Sequence, residues 1–308
     1  MTMINSALST QHSAPASTVR DFFSLLKPGV MSLVVFTGLT GMLLAMAHGA
    51  GQINLFQQAL TLACISLGSG AGAAINMWFD RDIDAVMKRT NRRPVPSGRV
   101  APDDALALGL FLAALAVMLM GLALNWLAAG ILAFAIFFYA VVYTMWLKRA
   151  TPQNIVIGGA AGAFPPMIGW AAVSGDVSLL SVILFAIIFL WTPPHFWALA
   201  LYKNADYARA GVPMMPVVAG ARATKRQMAA YTWLLVAATL LPPVLGLAGW
   251  VYAAFAAVLG GVFLFHVHKL LADETEKWAR KTFGFSIFYL FMLCSVLMLD
   301  GWIARLSF

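Results

Sequence analysis

The sequence is poor in charged residues. Charged side chains make up only 10% of its 308 residues, whereas 61% are hydrophobic, and the mean hydropathy is +0.83. In a soluble domain about a quarter of the residues are charged, so this composition excludes an ordinary soluble fold. Cysteine is also scarce, because Cys64 and Cys294 are the only two and form no paired-thiol motif. The sequence therefore indicates neither a disulfide framework, nor a zinc centre, nor a covalently attached c-type haem.

Long apolar runs occupy most of the chain. Nine of them are long enough to cross a bilayer as helices, which predicts an all-α integral membrane protein. The nine runs lie near residues 29–48, 55–80, 104–123, 126–146, 154–174, 178–201, 228–247, 251–270 and 283–303. We expect residues 1–27 to form a cytoplasmic tail, whose first twenty residues are disordered, and residues 28–308 to form a single transmembrane domain.

Basic residues lie almost entirely on one side of this predicted topology. If the N-terminus is cytoplasmic, all of the twenty Lys and Arg residues except Arg305 fall at the cytoplasmic ends of the nine spans. This distribution follows the positive-inside rule, so the net charge of +8 reflects membrane orientation. We find no nucleic-acid-binding motif, and we expect no nucleic-acid partner.

Three polar residues close the second apolar run. Asn76, Asp80 and Asp84 follow one another at intervals of four residues. Four residues of α-helix turn through about 400°, so the three side chains should lie within an arc of roughly 80°. Acids beside the hydrocarbon are costly unless they are paired or bind a metal. Because oxygen ligands suit a hard divalent cation, the trio predicts a Mg²⁺ site.

Two polar segments should carry the function. The first follows Asp84 and contains Arg89 and Arg93, whose guanidinium groups could hold a phosphate ester bridged to Mg²⁺. Alternatively, these basic residues only anchor the loop to anionic lipid, although this does not explain the aligned polar trio. The second segment follows the sixth span, and Asp206 is its only acid. A lone Asp in a polar loop is usually just solvated.

The Asn-x-x-x-Asp-x-x-x-Asp run, together with the polar segment after the sixth span, resembles the UbiA superfamily of intramembrane prenyltransferases over nearly the whole chain. Two segments are similar to its haem-modifying branch. They are Pro193-Pro194-His195-Phe196-Trp197 and Asp206-Tyr207 with Ala210-Gly211 and Pro213-Met214. Further matches are Lys27-Pro28, Arg93-Pro94, Asn154 to Gly159 and Pro165-Pro166.

The resemblance implies nine helices around a central cavity that opens to the cytoplasm. It implies transfer of a farnesyl group from farnesyl diphosphate to a vinyl group of haem B, with addition of water, giving haem O and pyrophosphate. Haem B would be a substrate and not a fixed cofactor. The implied location is a bacterial inner membrane with a cytoplasmic N-terminus, and the implied partners are membrane lipid and haem A synthase or terminal oxidase assembly.

The resemblance also implies roles for individual residues. Mg²⁺ and the diphosphate would bind at Asn76, Asp80, Asp84 and Asp206. The superfamily often carries two acids in the second motif, but here Tyr202 takes the earlier position, which puts a second complete metal site in doubt. Cleavage of an allylic carbon–oxygen bond leaves a pyrophosphate with extra negative charge, which cations must stabilise. We expect these cations to be Lys203, Arg89, Arg93, Lys148 and Arg209.

Two further residues have open interpretations. Tyr143 could line the wall that shields the allylic cation, or it could be an interfacial aromatic residue at the headgroup level. His195 follows Pro193 and Pro194, which should disturb the helix at membrane depth. Its imidazole could ligate haem iron or hydrogen-bond a propionate, or it could complete a structural hydrogen-bond network.

Two other functions fit part of the pattern. A related prenyltransferase acting on an aromatic acceptor such as 4-hydroxybenzoate would use the same metal site with another acceptor pocket. A transporter or a non-catalytic oxidase-assembly subunit would place polar residues at helix breaks near the membrane midplane. The acids of this chain lie instead at a cytoplasmic helix end, which counts against transport.

Overall fold

The computed structural model describes residues 17–306, and every regular element in that range is helical. Seventeen α-helices and one π-helical segment, named π1, follow one another along the chain. They are α1 Val19–Leu25, α2 Pro28–Ala47, α3 Leu55–Phe79, α4 Arg81–Val86, α5 Pro102–Ala123, α6 Trp126–Phe137, π1 Phe138–Leu147, α7 Lys148–Ala150, α8 Asn154–Gly158, α9 Ala160–Ala163, α10 Pro165–Ser174, α11 Leu179–Tyr202, α12 Asn204–Arg209, α13 Met215–Val218, α14 Gly220–Thr239, α15 Leu241–Val244, α16 Trp250–Ala272 and α17 Lys277–Leu306.

Nine helical stretches within residues 17–306 are long and apolar enough to cross a membrane. They correspond one by one to the predicted runs, so the predicted all-α membrane fold is confirmed. The largest difference is in the seventh stretch, which runs from Gly220 to Val244 instead of 228–247. Hydropathy finds only the apolar part of a helix, and here the first two turns carry Arg222, Lys225 and Arg226.

The segment before the first span is folded onto the domain. Residues 1–16 of the predicted tail lie outside the described range, but Val19 and Arg20, which we expected to be disordered, are helical. The Thr18 side chain caps α1 by accepting from the backbone N–H of Asp21. Arg99 Nε lies 2.7 Å from Asp21 Oδ1, and the hydrogen bonds from Thr18 and Arg99 lower the pKa of Asp21 to about 2. The boundary at residue 27 stays a prediction.

Glycines let two membrane helices touch. A Cβ atom on Gly41 of α2 would lie 1.9 Å from the carbonyl oxygen of Pro166 of α10. A Cβ on Gly169 of α10 would lie 2.0 Å from the carbonyl oxygen of Gly38. Any larger side chain at these positions would force the backbones apart, so close approach depends on glycine from both helices.

A buried cluster joins the two polar segments at one end of the bundle. Ile83 and Met87 come from the segment after α3, while Tyr207 and Met214 come from the segment after α11. All four belong to one apolar cluster that also contains the fully buried Trp197. Both segments that carry the predicted acids therefore contribute to one buried apolar cluster. The central cavity itself stays a prediction.

Candidate active site

The polar trio continues the hydrogen-bond pattern of α3 into α4. The backbone N–H of Asp80 donates to the carbonyl of Asn76 at 2.9 Å, and that of Asp84 donates to the carbonyl of Asp80 at 2.8 Å. The three residues therefore occupy successive turns, as their spacing predicts. Their exposed fractions are 3%, 0% and 2%, respectively. The Asn76 amide Nδ2 donates to Asp80 Oδ2 at 2.7 Å, which joins the first two side chains directly.

A π-helical segment faces these turns. At the end of π1 the backbone N–H of Lys148 donates to the carbonyl of Tyr143, five residues earlier. Thr144 Oγ1 accepts from Asn76 Nδ2 at 3.1 Å, and one turn later Lys148 Nζ pairs with Asp80 Oδ2. The four-residue step on α3 thus matches a four-residue step on the facing helix. Single π-turns are rare and occur frequently at functional sites.

Further cations surround the acids. Lys27 Nζ donates to Asn76 Oδ1 at 2.7 Å, and Arg93 Nη1 lies 2.6 Å from Asp84 Oδ2. Lys27 is also the only described non-glycine residue with a positive φ, of 50°, a conformation that costs about 1–3 kcal/mol. Burial and then the positive charges of Arg93 and Lys148 lower the pKa of Lys27 to about 7. Sequence reasoning missed this contact, although the Lys27-Pro28 pair was a signal for it.

One carboxylate oxygen is left without a hydrogen bond. Asp80 Oδ1 is buried and has no donor among residues 17–306, since Arg149 Nη2 is 3.6 Å away. A buried, unpaired carboxylate oxygen is costly unless it meets a cation. At no point within the described range do three His, Cys, Asp or Glu side chains converge. The protein can therefore offer Asp80, Asp84 and the Asn76 amide oxygen at this site, and a metal ion there would need further oxygens from a ligand or water.

Asp206 of the second predicted motif has its own ion-pair partner. Asp206 Oδ1 is 3.1 Å from Arg209 Nη2, and within residues 17–306 Asp206 does not form a group of three metal-ligating side chains with Asp80 and Asp84. Lys203 Nζ lies 5.8 Å from the centre of the Tyr202 ring. The metal role of Asp206 and the anion-binding roles of Lys203 and Arg209 stay predictions.

Arg89 is the remaining predicted cation. Its side chain is exposed, and it forms no hydrogen bond or ion pair with another residue of the described range. Its guanidinium group is therefore available to an anion at the end of the bundle where the acids lie, and its role in diphosphate binding stays a prediction.

Arg149 was not among the predicted cations. It binds Asp82 through two contacts of 2.7 Å.

Two stacked tyrosines lie in π1, next to the acids. The rings of Tyr139 and Tyr143 are 5.6 Å apart and inclined by 19°. Each ring occupies space that a glycine leaves free: a Cβ on Gly72 would lie 2.8 Å from Tyr139, and one on Gly158 would lie 2.1 Å from Tyr143. The pair thus has little room to move. Sequence reasoning missed Tyr139, because its apolar segment contains no motif that points to a stacking contact with Tyr143.

His195 lies deeper in the bundle. The helix α11 continues through Pro193 and Pro194, although neither proline can donate a backbone hydrogen bond. The predicted disturbance therefore does not end the helix. His195 is 8% exposed, and its Nδ1 lies 2.6 Å from Ser286 Oγ of α17.

Comparison with known sequences shows the family of the chain. The model of the UbiA prenyltransferase family matches residues 34–294. A relative from Agrobacterium fabrum named Protoheme IX farnesyltransferase is 59% identical over 285 residues, which cover 91% of this chain and 89% of the relative.

Two solved structures share the fold at low sequence identity. A digeranylgeranylglyceryl phosphate synthase is 20% identical with a TM-score of 0.73, and the match covers 94% of this chain and 99% of that one. A UbiA homologue from Archaeoglobus fulgidus bound to DMAPP and Mg²⁺ is 16% identical with a TM-score of 0.62, covering 90% and 100%. The chain belongs to the UbiA prenyltransferase family.

Proposed function

We propose that this protein transfers a farnesyl group from farnesyl diphosphate to a vinyl carbon of haem B, with addition of water, to give haem O and pyrophosphate. The observation that carries this proposal is the 59% identity to a relative named Protoheme IX farnesyltransferase, over nine-tenths of the chain. The haem-modifying motifs at His195 and Asp206 support the same acceptor. Nothing in the described site favours an aromatic acid as acceptor, and membership of a prenyltransferase family argues against transport.

The donor set at Asp80 fits Mg²⁺. The two buried carboxylates of Asp80 and Asp84 and the Asn76 amide match the usual protein share of a Mg²⁺ site, in which one or two carboxylates act together with substrate phosphates, and Asp80 Oδ1 accepts no hydrogen bond. When bound, Mg²⁺ would supply charge stabilisation to the leaving pyrophosphate. The Archaeoglobus fulgidus homologue bound to DMAPP and Mg²⁺ supports this assignment.

Cationic side chains would hold the diphosphate. Lys148 and Arg93 now neutralise Asp80 and Asp84, and Lys27 lies on Asn76. Each of these three side chains contacts one residue of the polar trio, so each could contact the phosphate oxygens of a substrate bound there. As the allylic carbon–oxygen bond breaks, negative charge grows on the pyrophosphate, and preorganised cations stabilise that charge without further reorganisation.

The other product of this cleavage is an allylic cation that water must not reach before the acceptor does. The stacked Tyr139 and Tyr143 rings lie in π1, which also provides Thr144 and leads directly into Lys148; Thr144 contacts Asn76, and Lys148 contacts Asp80. Aromatic faces stabilise a nearby positive charge and exclude water. The farnesyl carbon would then bond to the terminal vinyl carbon of haem, and water would add to the cation formed on the neighbouring carbon, releasing a proton.

We propose a location in a bacterial inner membrane, with the cytoplasmic N-terminus that the charge distribution supports. The Lys and Arg residues cluster at the end of the bundle that holds Asp80, so this end would face the cytoplasm. The diphosphate of farnesyl diphosphate would then bind at the cytoplasmic end of the bundle. Delivery of haem O to haem A synthase or to terminal oxidase assembly stays a prediction.

The experiment that tests the proposal measures porphyrin mass. Purified protein in detergent is incubated with farnesyl diphosphate, haem B and Mg²⁺, and the porphyrin is expected to gain one farnesyl group and one water. Asp80→Asn should remove the product, while Asp103→Asn, an exposed acid in the first turn of α5, should retain it. An unchanged porphyrin with prenylated 4-hydroxybenzoate would overturn the assigned acceptor. Wild-type turnover of Asp80→Asn would overturn the metal site.

A further inference from the structure

A buried imidazole is held between α11 and α17. The His195 ring stacks on Trp191 with centroids 4.2 Å apart and on Phe283 with centroids 4.6 Å apart, at interplanar angles of 16° and 23°. Two rings stacked on the same face of the imidazole at these distances would overlap each other. Trp191 and Phe283 must therefore cover opposite faces. Only the edge of the imidazole can therefore meet another molecule.

The hydrogen bonds of Ser286 determine where the imidazole proton lies. Ser286 Oγ is 2.6 Å from His195 Nδ1 and 2.6 Å from the carbonyl oxygen of Phe283. A serine hydroxyl has one proton, and a carbonyl oxygen can only accept, so this proton goes to Phe283. Ser286 Oγ must then accept a proton from His195 Nδ1. The neutral imidazole in this tautomer carries its lone pair on Nε2.

A second hydrogen bond fixes the position of Ser286 along α11. Trp191 Nε1 donates to the backbone carbonyl of Ser286 at 2.8 Å, so Ser286 is bound to α11 through both its main chain and its side chain. His195 Nε2 forms no hydrogen bond with any residue between 17 and 306. An imidazole whose Nδ1–H is bound and whose Nε2 lone pair is uncommitted has the arrangement found in metal-ligating histidines.

We propose that Ser286 is a positioning residue that holds His195 in the Nδ1–H tautomer, so that Nε2 binds the iron of the haem acceptor. This inference rests on the proposed function. The bond formed is a coordinate Fe–N bond, and no proton or electron is exchanged. A ligating imidazole stands perpendicular to the porphyrin, so the rims of Trp191 and Phe283 would meet the macrocycle and limit its rotation. The vinyl group would thereby be kept in one direction relative to the farnesyl donor.

The test follows haem ligation directly. Purified protein is titrated with ferric haem B, and the iron ligand is identified by optical and electron paramagnetic resonance spectra. The wild type should show a histidine-ligated haem, and His195→Ala should lose this signature. Ser286→Ala should bind haem about 10- to 100-fold more weakly, the usual effect of removing a hydrogen bond behind a metal ligand, while farnesyl diphosphate binding is unchanged.

A matched control lies on the same helix. Ser295 Oγ donates to the carbonyl of Phe291 at 2.9 Å but has no histidine partner. Ser295→Ala should therefore keep the wild-type spectrum and haem affinity. Ser286→Cys has nearly the volume of serine but is only a weak acceptor, so it should change haem binding in the same direction as Ser286→Ala even if the alanine variant is poorly folded.

Several results would overturn the inference. A folded Ser286→Ala or Ser286→Cys variant with the wild-type spectrum and affinity would exclude the positioning role. A histidine signature that persists in His195→Ala would exclude the ligand. The proposed function fails separately: a wild type that farnesylates haem without a His195 ligand refutes only this inference, while a wild type that binds haem through His195 but forms no farnesylated product refutes only the activity.

Discussion

The substitution Gly158→Ala tests whether the packing of Tyr143 matters for catalysis. An alanine Cβ at position 158 would lie 2.1 Å from Cδ2 of the Tyr143 ring, whereas real Cβ contacts do not fall below 3.0 Å, so the ring must withdraw by about 0.9 Å. Tyr139 stacks on the Tyr143 ring and is itself confined by Gly72. Overpacking of this kind costs typically about 1–3 kcal/mol. A displacement of about 1 Å beside reacting atoms can lower turnover by about 100-fold.

The assay compares turnover and stability in one protein preparation. Farnesylated porphyrin is quantified by mass spectrometry, and the apparent free energy of unfolding is measured in mixed micelles. Gly162→Ala is the matched control, because a Cβ at this nearby helical glycine meets nothing within 4 Å. Since alanine favours a helix by up to about 1 kcal/mol over glycine, the control should be at least as stable as the wild type. A Gly158→Ala variant with wild-type turnover and stability would refute the assigned packing of Tyr143.

Two further substitutions separate the donor site from the rest of the bundle. Lys27→Gln should raise the KM for farnesyl diphosphate about tenfold or more, because it removes the partly buried amino group that contacts Asn76. Lys88→Gln, at an exposed neighbouring cation, should not, and equal KM values in steady-state assays would contradict the role of Lys27. Asp300→Ala should lower the free energy of unfolding by about 1–3 kcal/mol and leave kcat unchanged, since Asp300 accepts from the Gly249 backbone N–H at 2.5 Å at the start of α16. Unchanged resistance to denaturant would contradict this capping role.

The acids of the site are already neutralised by the cations that the proposed reaction needs. Asp80 pairs with Lys148, and Asp84 pairs with Arg93. Such pairs allow charged groups to stay at the edge of the hydrocarbon before any ligand is bound. They also place cations where a diphosphate would bind together with Mg²⁺.

The sequence by itself determined the features that depend on neighbouring residues. The nine membrane helices follow from run length and hydropathy, and the alignment of Asn76, Asp80 and Asp84 follows from a four-residue spacing that helix geometry converts into one face. Local patterns of this kind need no knowledge of the rest of the chain. The same patterns misplaced the start of the seventh span, because hydropathy does not distinguish charged turns at the end of a helix from a polar loop.

Only the tertiary structure decided which distant groups meet. Asn76 binds Lys27 and Thr144, which are 49 and 68 residues away, and His195 binds Ser286 at a separation of 91 residues. Nothing in the apolar segments around Thr144 or Ser286 indicates such a partner, since the pairing depends on how whole helices pack. Helix packing in a membrane depends on shape, as the glycines facing Tyr139 and Tyr143 illustrate, and shape is a property of two surfaces together.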